Sequence, residues 1–146
     1  MKNPGRLPPS PLIGKEAPNF SLKNMDSGEI IDKQILKGKP YILNFFASWC
    51  RECVTEHKVL QKLSEKLFVF GVIYQDTPEN IRKYREQFGE GVLYYIDEKG
   101  RVAIEFGVYG VPETFFVNRN GFVFYKHIGP LDLTTALDKV KELEKF

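Results

Sequence analysis

The only two cysteines of this 146-residue chain, Cys50 and Cys53, stand between an apolar run and a segment with helical spacing. The run at 41–46 predicts a buried strand, and the pattern at 54–65 predicts a helix. A strand that leads directly into a helix places Cys50 beside unpaired backbone N–H groups and the positive end of the helix dipole, which favour a thiolate. Cys53 lies one helical turn further on, within reach of a disulfide. The arrangement predicts thiol redox chemistry.

The size, charge and cysteine content of the chain exclude several classes of protein. A length of 146 residues with 42% hydrophobic residues suits one domain with a substantial core. The 21 basic and 19 acidic residues are spread along the chain, which argues against a nucleic-acid partner. A disulfide between such close cysteines constrains the unfolded chain too little to serve as a structural staple. No segment has the pattern of a membrane span or a signal peptide.

Prolines distinguish the start of the chain from the rest. Residues 1–11 hold four of the nine prolines and almost no large apolar side chain. Such a composition predicts an extended, flexible tether rather than a packed element. We expect one folded domain at 12–146, joined by this tether to a segment upstream.

The domain alternates between strand and helix patterns, punctuated by turn residues such as Asp26-Ser27-Gly28 and Asn120-Gly121. Apolar runs and alternating segments predict strands at 20–22, 29–31, 41–46, 67–74, 114–117 and 122–127. Helical spacing predicts helices at 54–65, at 78–88 behind Thr77 as N-cap, and from Leu131 or Asp132 to Leu143.

The order of these elements predicts the fold class. A β-α-β unit, a further helix and then β-β-α give an α/β protein with a mixed central sheet and helices on both faces. The segments at 20–22 and 29–31 add an N-terminal β-hairpin. Among α/β layouts of this size the thioredoxin fold has this order, and a Cys-x-x-Cys near a βαβ pattern is typical of it.

Cys50 is the predicted nucleophile, and Trp49 beside it offers a flat apolar surface for a substrate chain. Its thiolate would attack a substrate disulfide, and Cys53 would then resolve the mixed disulfide and release reduced substrate. The redox-active cysteine pair would itself carry the electrons, so we expect no cofactor. A zinc site needs two more ligands, and His57 and His127 are the only histidines, so we expect no metal.

Charged residues flank the second cysteine. Glu52 and Glu56 would disfavour a nearby thiolate while offering a base to Cys53, and Arg51 would favour a thiolate. We favour Glu56 as a functional acid over a solvated carboxylate, whereas both interpretations of Glu52 stay open. His57 lies on the same helical face as Cys53, and we expect it to be solvated or partly buried.

Three segments resemble the DsbE/CcmG group of thioredoxin-like proteins, over a span from about Leu7 to the C-terminus. They are the opening at 12–20, the approach to the first cysteine at 44–50 and the run at 107–115. The last is the most specific, and reads Gly107-Val108-Tyr109-Gly110-Val111-Pro112-Glu113-Thr114-Phe115. The resemblance implies a periplasmic thiol:disulfide oxidoreductase that acts as a protein-disulfide reductase in cytochrome c maturation.

The resemblance also implies roles for individual residues. Cys50 and Cys53 become the redox pair, and Val111-Pro112 becomes a cis peptide that faces it. From the sequence alone, an ordinary loop proline is the favoured interpretation of Pro112. Glu56 and Glu113 match the acidic surroundings of the active site in this group.

We expect Trp49, Tyr109, Val111 and Glu113 to contact the substrate. The partners implied are apocytochrome c or a haem-ligation factor, with a membrane thiol transporter as reductant. The group's members are anchored in the inner membrane by an N-terminal helix, so we expect this domain on the periplasmic side, anchored by such a helix outside this sequence. We expect a monomer.

Two features of the sequence depart from expected patterns. The group usually has a proline between its cysteines, where this chain has Arg51-Glu52, so the redox potential and the first helical turn stay open. Asn44 stands where thioredoxin has a buried aspartate, so the proton path of thioredoxin does not carry over, and this second difference agrees with the DsbE/CcmG group.

Other functions remain as alternatives. The first is a general extracytoplasmic reductase of the ResA/TlpA type. A peroxiredoxin shares the opening motif. Its peroxidatic cysteine usually comes three residues after a threonine or serine, whereas the residue three positions before Cys50 is Ala47. A copper metallochaperone would use the two thiols and a histidine, although such proteins space their cysteines more widely.

Overall fold

A computed structural model describes residues 10–145. One mixed sheet of seven strands forms its centre, in the order β2-β1-β5-β4-β3-β6-β7. The strands are β1 Ser21–Asn24, β2 Ile30–Asp32, β3 Tyr41–Phe46, β4 Phe68–Ile73, β5 Leu93–Ile96, β6 Glu113–Val117 and β7 Val123–Ile128. The helices are α1 Arg51–Leu63, α2 Pro78–Phe88, α3 Arg101–Glu105 and α4 Leu133–Leu143, with a 3-10 turn at Glu98–Gly100.

The strand β3 lies in the middle of the sheet and determines where the two cysteines sit. It pairs in parallel with β4, because α1 crosses over between them, and antiparallel with β6. In this register Phe46 pairs with Ile73, and Phe45 pairs with Glu113. The carboxyl ends of β3 and β4 and the amino end of β6 therefore share one edge of the sheet.

The two faces of the sheet carry separate cores. Along β3, Ile42 and Phe46 pack on one face with residues of α1, α2 and α4, while Leu43 and Phe45 pack on the other. The second face is covered by α3, through Val102 and Ala103, and by the segment before β1. Helices on both faces confirm the predicted thioredoxin fold, and the β1–β2 hairpin confirms the N-terminal extension.

Several boundaries and one region differ from the sequence-based expectation. The strand β5, the 3-10 turn and α3 were not predicted, because each is at most five residues long, too short to show a clear period in the sequence. Helix α1 begins at Arg51, not at residue 54, and ends two residues earlier than predicted, at Leu63. Asp132 is the N-cap of α4, and its carboxylate accepts a hydrogen bond from the Thr135 N–H.

The predicted tether at 1–11 lies almost entirely outside the described residues, which begin at Ser10. Within 10–145 no helix is long and apolar enough to span a bilayer.

Candidate active site

The two cysteines form a disulfide at the start of α1. Cys50 is the N-cap of the helix, and its Sγ accepts the N–H of Cys53 at 3.1 Å. Sulfur thus occupies the position that a serine or aspartate oxygen takes in ordinary caps. Cys50 is 7% exposed and Cys53 is 1% exposed, so an approaching reactant meets Cys50 first.

The turn that carries Cys50 is fixed by a carboxylate from the neighbouring strand end. Asp76 Oδ2 accepts hydrogen bonds from Ser48 N at 2.7 Å and from Ser48 Oγ at 2.5 Å. Burial opposes its ionisation, but hydrogen bonds from Ser48, Asn80 and Thr77 outweigh burial and hold the pKa of Asp76 below its usual value. Trp49 is 59% exposed, and its Nε1–H donates to the Gln75 carbonyl at 3.1 Å.

The Val111–Pro112 peptide bond is cis, as the resemblance implies. Because Glu113 pairs with Phe45, this bond lies at the same sheet edge as the end of β3. The Val111 carbonyl oxygen is 3.7 Å from Cys50 Sγ. The backbone of Val111 therefore lies directly beside the more exposed sulfur.

Glu113 is buried, so it does not offer a free carboxylate to a substrate. Its Oε1 lies 3.0 Å from Lys126 Nζ. Its Oε2 accepts hydrogen bonds from the N–H groups of Tyr109 at 3.1 Å and Gly110 at 3.3 Å. These partners enclose the Glu113 carboxylate, whereas the Tyr109 side chain is 93% exposed. The substrate contact expected of Glu113 stays a prediction.

Glu56 is fully buried one helical turn after Cys53. Its Oε2 accepts a hydrogen bond from Asn44 Nδ2 at 2.7 Å, and its Oε1 accepts the Leu131 N–H at 3.0 Å. Burial raises its pKa to about 7 despite these two donors. The alternative of a solvated carboxylate is therefore wrong for Glu56.

The other charged neighbours of the thiols face solvent or point away. Arg51 and Glu52 are both exposed. His57 is buried rather than solvated or partly buried, because its Nε2 is 3.0 Å from the Gly89 carbonyl and its ring meets Tyr84 edge-on. Burial lowers its pKa, so the imidazole is held neutral.

His127 is engaged elsewhere. Its ring nitrogens lie within hydrogen-bond distance of Tyr125 Oη, at 2.8 Å, and of the Pro130 carbonyl, at 3.0 Å. Across residues 10–145, no three His, Cys, Asp or Glu side chains are grouped as a metal site would need.

Comparison with known proteins agrees with this geometry. The AhpC/TSA family model matches residues 13–126. The thiol:disulfide interchange protein DsbE of Pseudomonas fluorescens biotype C is 37% identical over 140 residues, which cover 94% of this chain and 78% of that protein. DsbE of Escherichia coli K12 is 36% identical over 142 residues, 94% of this chain and 77% of its own. The chain belongs to the DsbE family of thiol:disulfide interchange proteins.

A solved structure supports the same assignment. The thioredoxin-family thiol:disulfide interchange protein of Chlorobium tepidum TLS matches with a TM-score of 0.74 at 25% identity, over 94% of this chain and 98% of that one. The resemblance drawn from the sequence is confirmed. As a DsbE-family member with a closed Cys50–Cys53 pair, the protein is a thiol:disulfide oxidoreductase.

Sequence reasoning missed two residues of this DsbE-family site. Asp76 follows β4, whose carboxyl end lies beside that of β3, so its position at the end of a buried strand was a usable signal. Lys126 gave no signal, because its contact with Glu113 depends on the β6–β7 register.

Proposed function

We propose that this protein reduces protein disulfides in cytochrome c maturation, on the periplasmic side of the inner membrane. One observation carries the proposal: the accessible sulfur, Cys50, lies at a helix start beside the Val111 carbonyl, while Cys53 is buried. This asymmetry suits a protein that attacks with one thiol and resolves with the other. The DsbE name of its relatives supports the substrate class.

The exchange is balanced within the two proteins. In the reduced form, the Cys50 thiolate attacks one sulfur of the substrate disulfide, so an S–S bond forms to Cys50 and the substrate's second sulfur leaves as a thiolate. Cys53 then loses its proton and attacks Cys50 Sγ, which forms the Cys50–Cys53 disulfide, breaks the bond between Cys50 and the substrate, and releases the first substrate sulfur as a thiolate. The substrate gains two electrons and the Cys50–Cys53 pair loses two. The proton given up by Cys53 and one proton from solvent convert the two substrate thiolates into thiols.

Glu56 is the proposed proton acceptor for Cys53. Its pKa of about 7 lets it exist in both protonation states near neutral pH, as a group that takes and returns a proton must. The amide of Asn44 donates to one carboxylate oxygen of Glu56 and the Leu131 N–H donates to the other, so one acceptor site on each oxygen is occupied. A carboxylate has about four such sites, so Glu56 keeps the capacity to accept from a thiol.

The substrate would lie across an exposed apolar surface at the sheet edge. Trp49 and Tyr109 supply exposed rings, and Val111 supplies backbone beside the sulfur. Apocytochrome c or a haem-ligation factor is the proposed substrate, and a membrane thiol transporter is the proposed reductant. We propose a monomer with one folded domain at 12–146, anchored through residues 1–11 to an upstream membrane helix.

Trapping of mixed disulfides tests this function. The Cys53→Ser variant cannot resolve, so its Cys50 should hold substrates from a periplasmic extract, and Cys50→Ser is the matched control. We expect enrichment of apocytochrome c or haem-ligation factors on Cys53→Ser alone. A broad catch of unrelated proteins would favour the general reductase. The absence of any catch, together with a Cys50 that does not react with alkylating reagents, would overturn the redox assignment.

A further inference from the structure

Lys126 is a buried cation close to the redox site. It lies on β7, where its side chain is 8% exposed and that of its partner, Glu113, is 4% exposed. Its Nζ is 3.0 Å from Glu113 Oε1 and 5.1 Å from the centre of the Phe115 ring. Lysine is almost never buried without a partner, so the position of this charge needs an explanation beyond solubility.

The strand register brings the two charges together. Phe115 pairs with Lys126 and Glu113 pairs with Ile128 across β6 and β7. Lys126 and Glu113 are therefore diagonal neighbours on one face of the sheet, a separation that a long side chain can bridge. The ammonium group of Lys126, on β7, thus reaches Glu113, the first residue after the cis proline.

Contacts continue from this pair to the reactive sulfur. The second oxygen of Glu113 accepts the N–H groups of Tyr109 and Gly110. These two residues directly precede Val111, whose carbonyl oxygen is 3.7 Å from Cys50 Sγ. The Glu113 carboxylate thus joins the Lys126 ammonium group to the backbone that lies beside the sulfur.

We propose that Lys126 is a positioning residue, which acts through Glu113 to hold the Val111 backbone where a protein substrate passes it. The proposal rests on the proposed function, since it concerns the binding of a peptide chain at that site. Without Lys126, the buried Glu113 carboxylate would lose its ion-pair partner, and it would turn away from its two N–H donors. A peptide disulfide would then meet a displaced backbone. The reaction of a small aromatic disulfide needs access only to Cys50 Sγ, so the displaced backbone would not affect it.

Stopped-flow oxidation of the reduced protein tests this selectivity. One probe is a synthetic peptide with a Cys-x-x-Cys-His disulfide, and the other is 5,5′-dithiobis(2-nitrobenzoate). For Lys126→Met we expect the peptide rate constant to fall about tenfold, with the small-disulfide rate within about twofold of wild type. Lys126→Arg should restore most of the peptide rate. Lys66→Met, an exposed lysine beyond the far end of α1, should change neither rate.

Two further variants separate positioning from general destabilisation. Glu113→Gln breaks the same ion pair while keeping the side-chain shape, so it should show the same peptide-selective loss even if Lys126→Met does not fold. The double variant should lose no more than either single variant. Equal losses with both probes, or an unchanged peptide rate in folded variants, would overturn the proposal. If the wild-type protein oxidises with neither probe, the proposed function fails instead.

Discussion

Asn44 Nδ2 donates a hydrogen bond of 2.7 Å to Glu56 Oε2, which joins the central strand to the helix that carries the cysteines. The same amide donates to Thr114 Oγ1 at 2.9 Å, on the strand that follows the cis proline. All three side chains are fully buried. Thioredoxin has an aspartate at the strand position, whereas here the strand supplies an amide and the helix supplies the acid. The hydrogen bonds of Asn44 therefore connect β3, α1 and β6 through side chains that are all buried.

The raised pKa of Glu56 predicts that the protein loses stability as the pH rises. Burial moves the pKa from an ordinary 4.5 to about 7 in the folded state, so between these values the folded protein binds more protons than the unfolded chain. The contribution is complete below pH 4.5 and is lost as the pH rises to about 7, at a cost on the order of 3 kcal/mol. Denaturant unfolding of the oxidised protein at several pH values measures this change in the free energy of unfolding.

Glu56→Gln should remove this part of the pH dependence, because the amide does not titrate. Glu52→Gln is the matched control, since Glu52 lies on the same helix but is exposed. The wild type and the control should share one slope between pH 4.5 and 7, and Glu56→Gln should lack most of it. An unchanged slope in Glu56→Gln would contradict the assignment of a raised pKa to this residue.

The two thiols of the reduced protein should differ in reactivity. Cys50 is the more exposed and lies at the helix N-terminus, whereas Cys53 is 1% exposed. With less than one equivalent of iodoacetamide, we expect the label on Cys50 in large excess. Peptide mapping by mass spectrometry locates it. Equal labelling, or preferential labelling of Cys53, would reverse the assignment of nucleophile and resolving thiol.

The fold was largely predictable because the central elements have strong local signals. The boundaries of β3 and the start of α2 at Thr77 and Pro78 were predicted correctly. A run of apolar residues interrupted only by Asn44 defines the strand, and a capping residue defines the helix start. The start of α1 was misplaced because a cysteine is an unusual N-cap. Strand β5 was missed because its four residues, two of them tyrosine, follow Gly89 and Gly91 with no alternation to mark them.

A side chain at Gly71 should destabilise the protein, because the Tyr94 ring occupies the space beside it. A Cβ at Gly71 would stand 2.5 Å from Tyr94 Cδ1 and 2.7 Å from Cε1, inside the core. We expect Gly71→Ala to lower the free energy of unfolding by about 1–3 kcal/mol. Gly110→Ala is the control, since a Cβ there meets no atom within 4 Å. Equal stability of the two variants in denaturant unfolding would show that Tyr94 moves aside freely.

Asp26 links the N-terminal hairpin to α2. Its two carboxylate oxygens accept hydrogen bonds from Arg85 at 2.7 and 2.9 Å. Asp26 is partly exposed to solvent, so we expect Asp26→Asn to cost only about 0.5–1 kcal/mol, less at high salt. Glu79→Gln removes an exposed pair with Lys83 at 3.9 Å and should be neutral. Thermal melts at low and high salt compare them, and a salt-independent loss would contradict an electrostatic link.

The candidate site was predictable where it is local in sequence and less so where it depends on tertiary pairing. Cys50, Cys53 and Glu56 stand on one helix, so their spacing alone placed them together. Glu113 was expected at the substrate surface, but its partner Lys126 comes from a neighbouring strand. Only the register of β6 and β7 shows that this carboxylate is enclosed.

The central claim is that Cys50 attacks a protein disulfide and Cys53 resolves the product. The most direct test mixes reduced Cys53→Ser, and separately reduced Cys50→Ser, with the oxidised Cys-x-x-Cys-His peptide and follows intact mass over time. We predict a stable adduct of one peptide on Cys53→Ser, none on Cys50→Ser, and free reduced peptide with a closed disulfide in the wild type. An adduct on Cys50→Ser but not on Cys53→Ser would contradict the account.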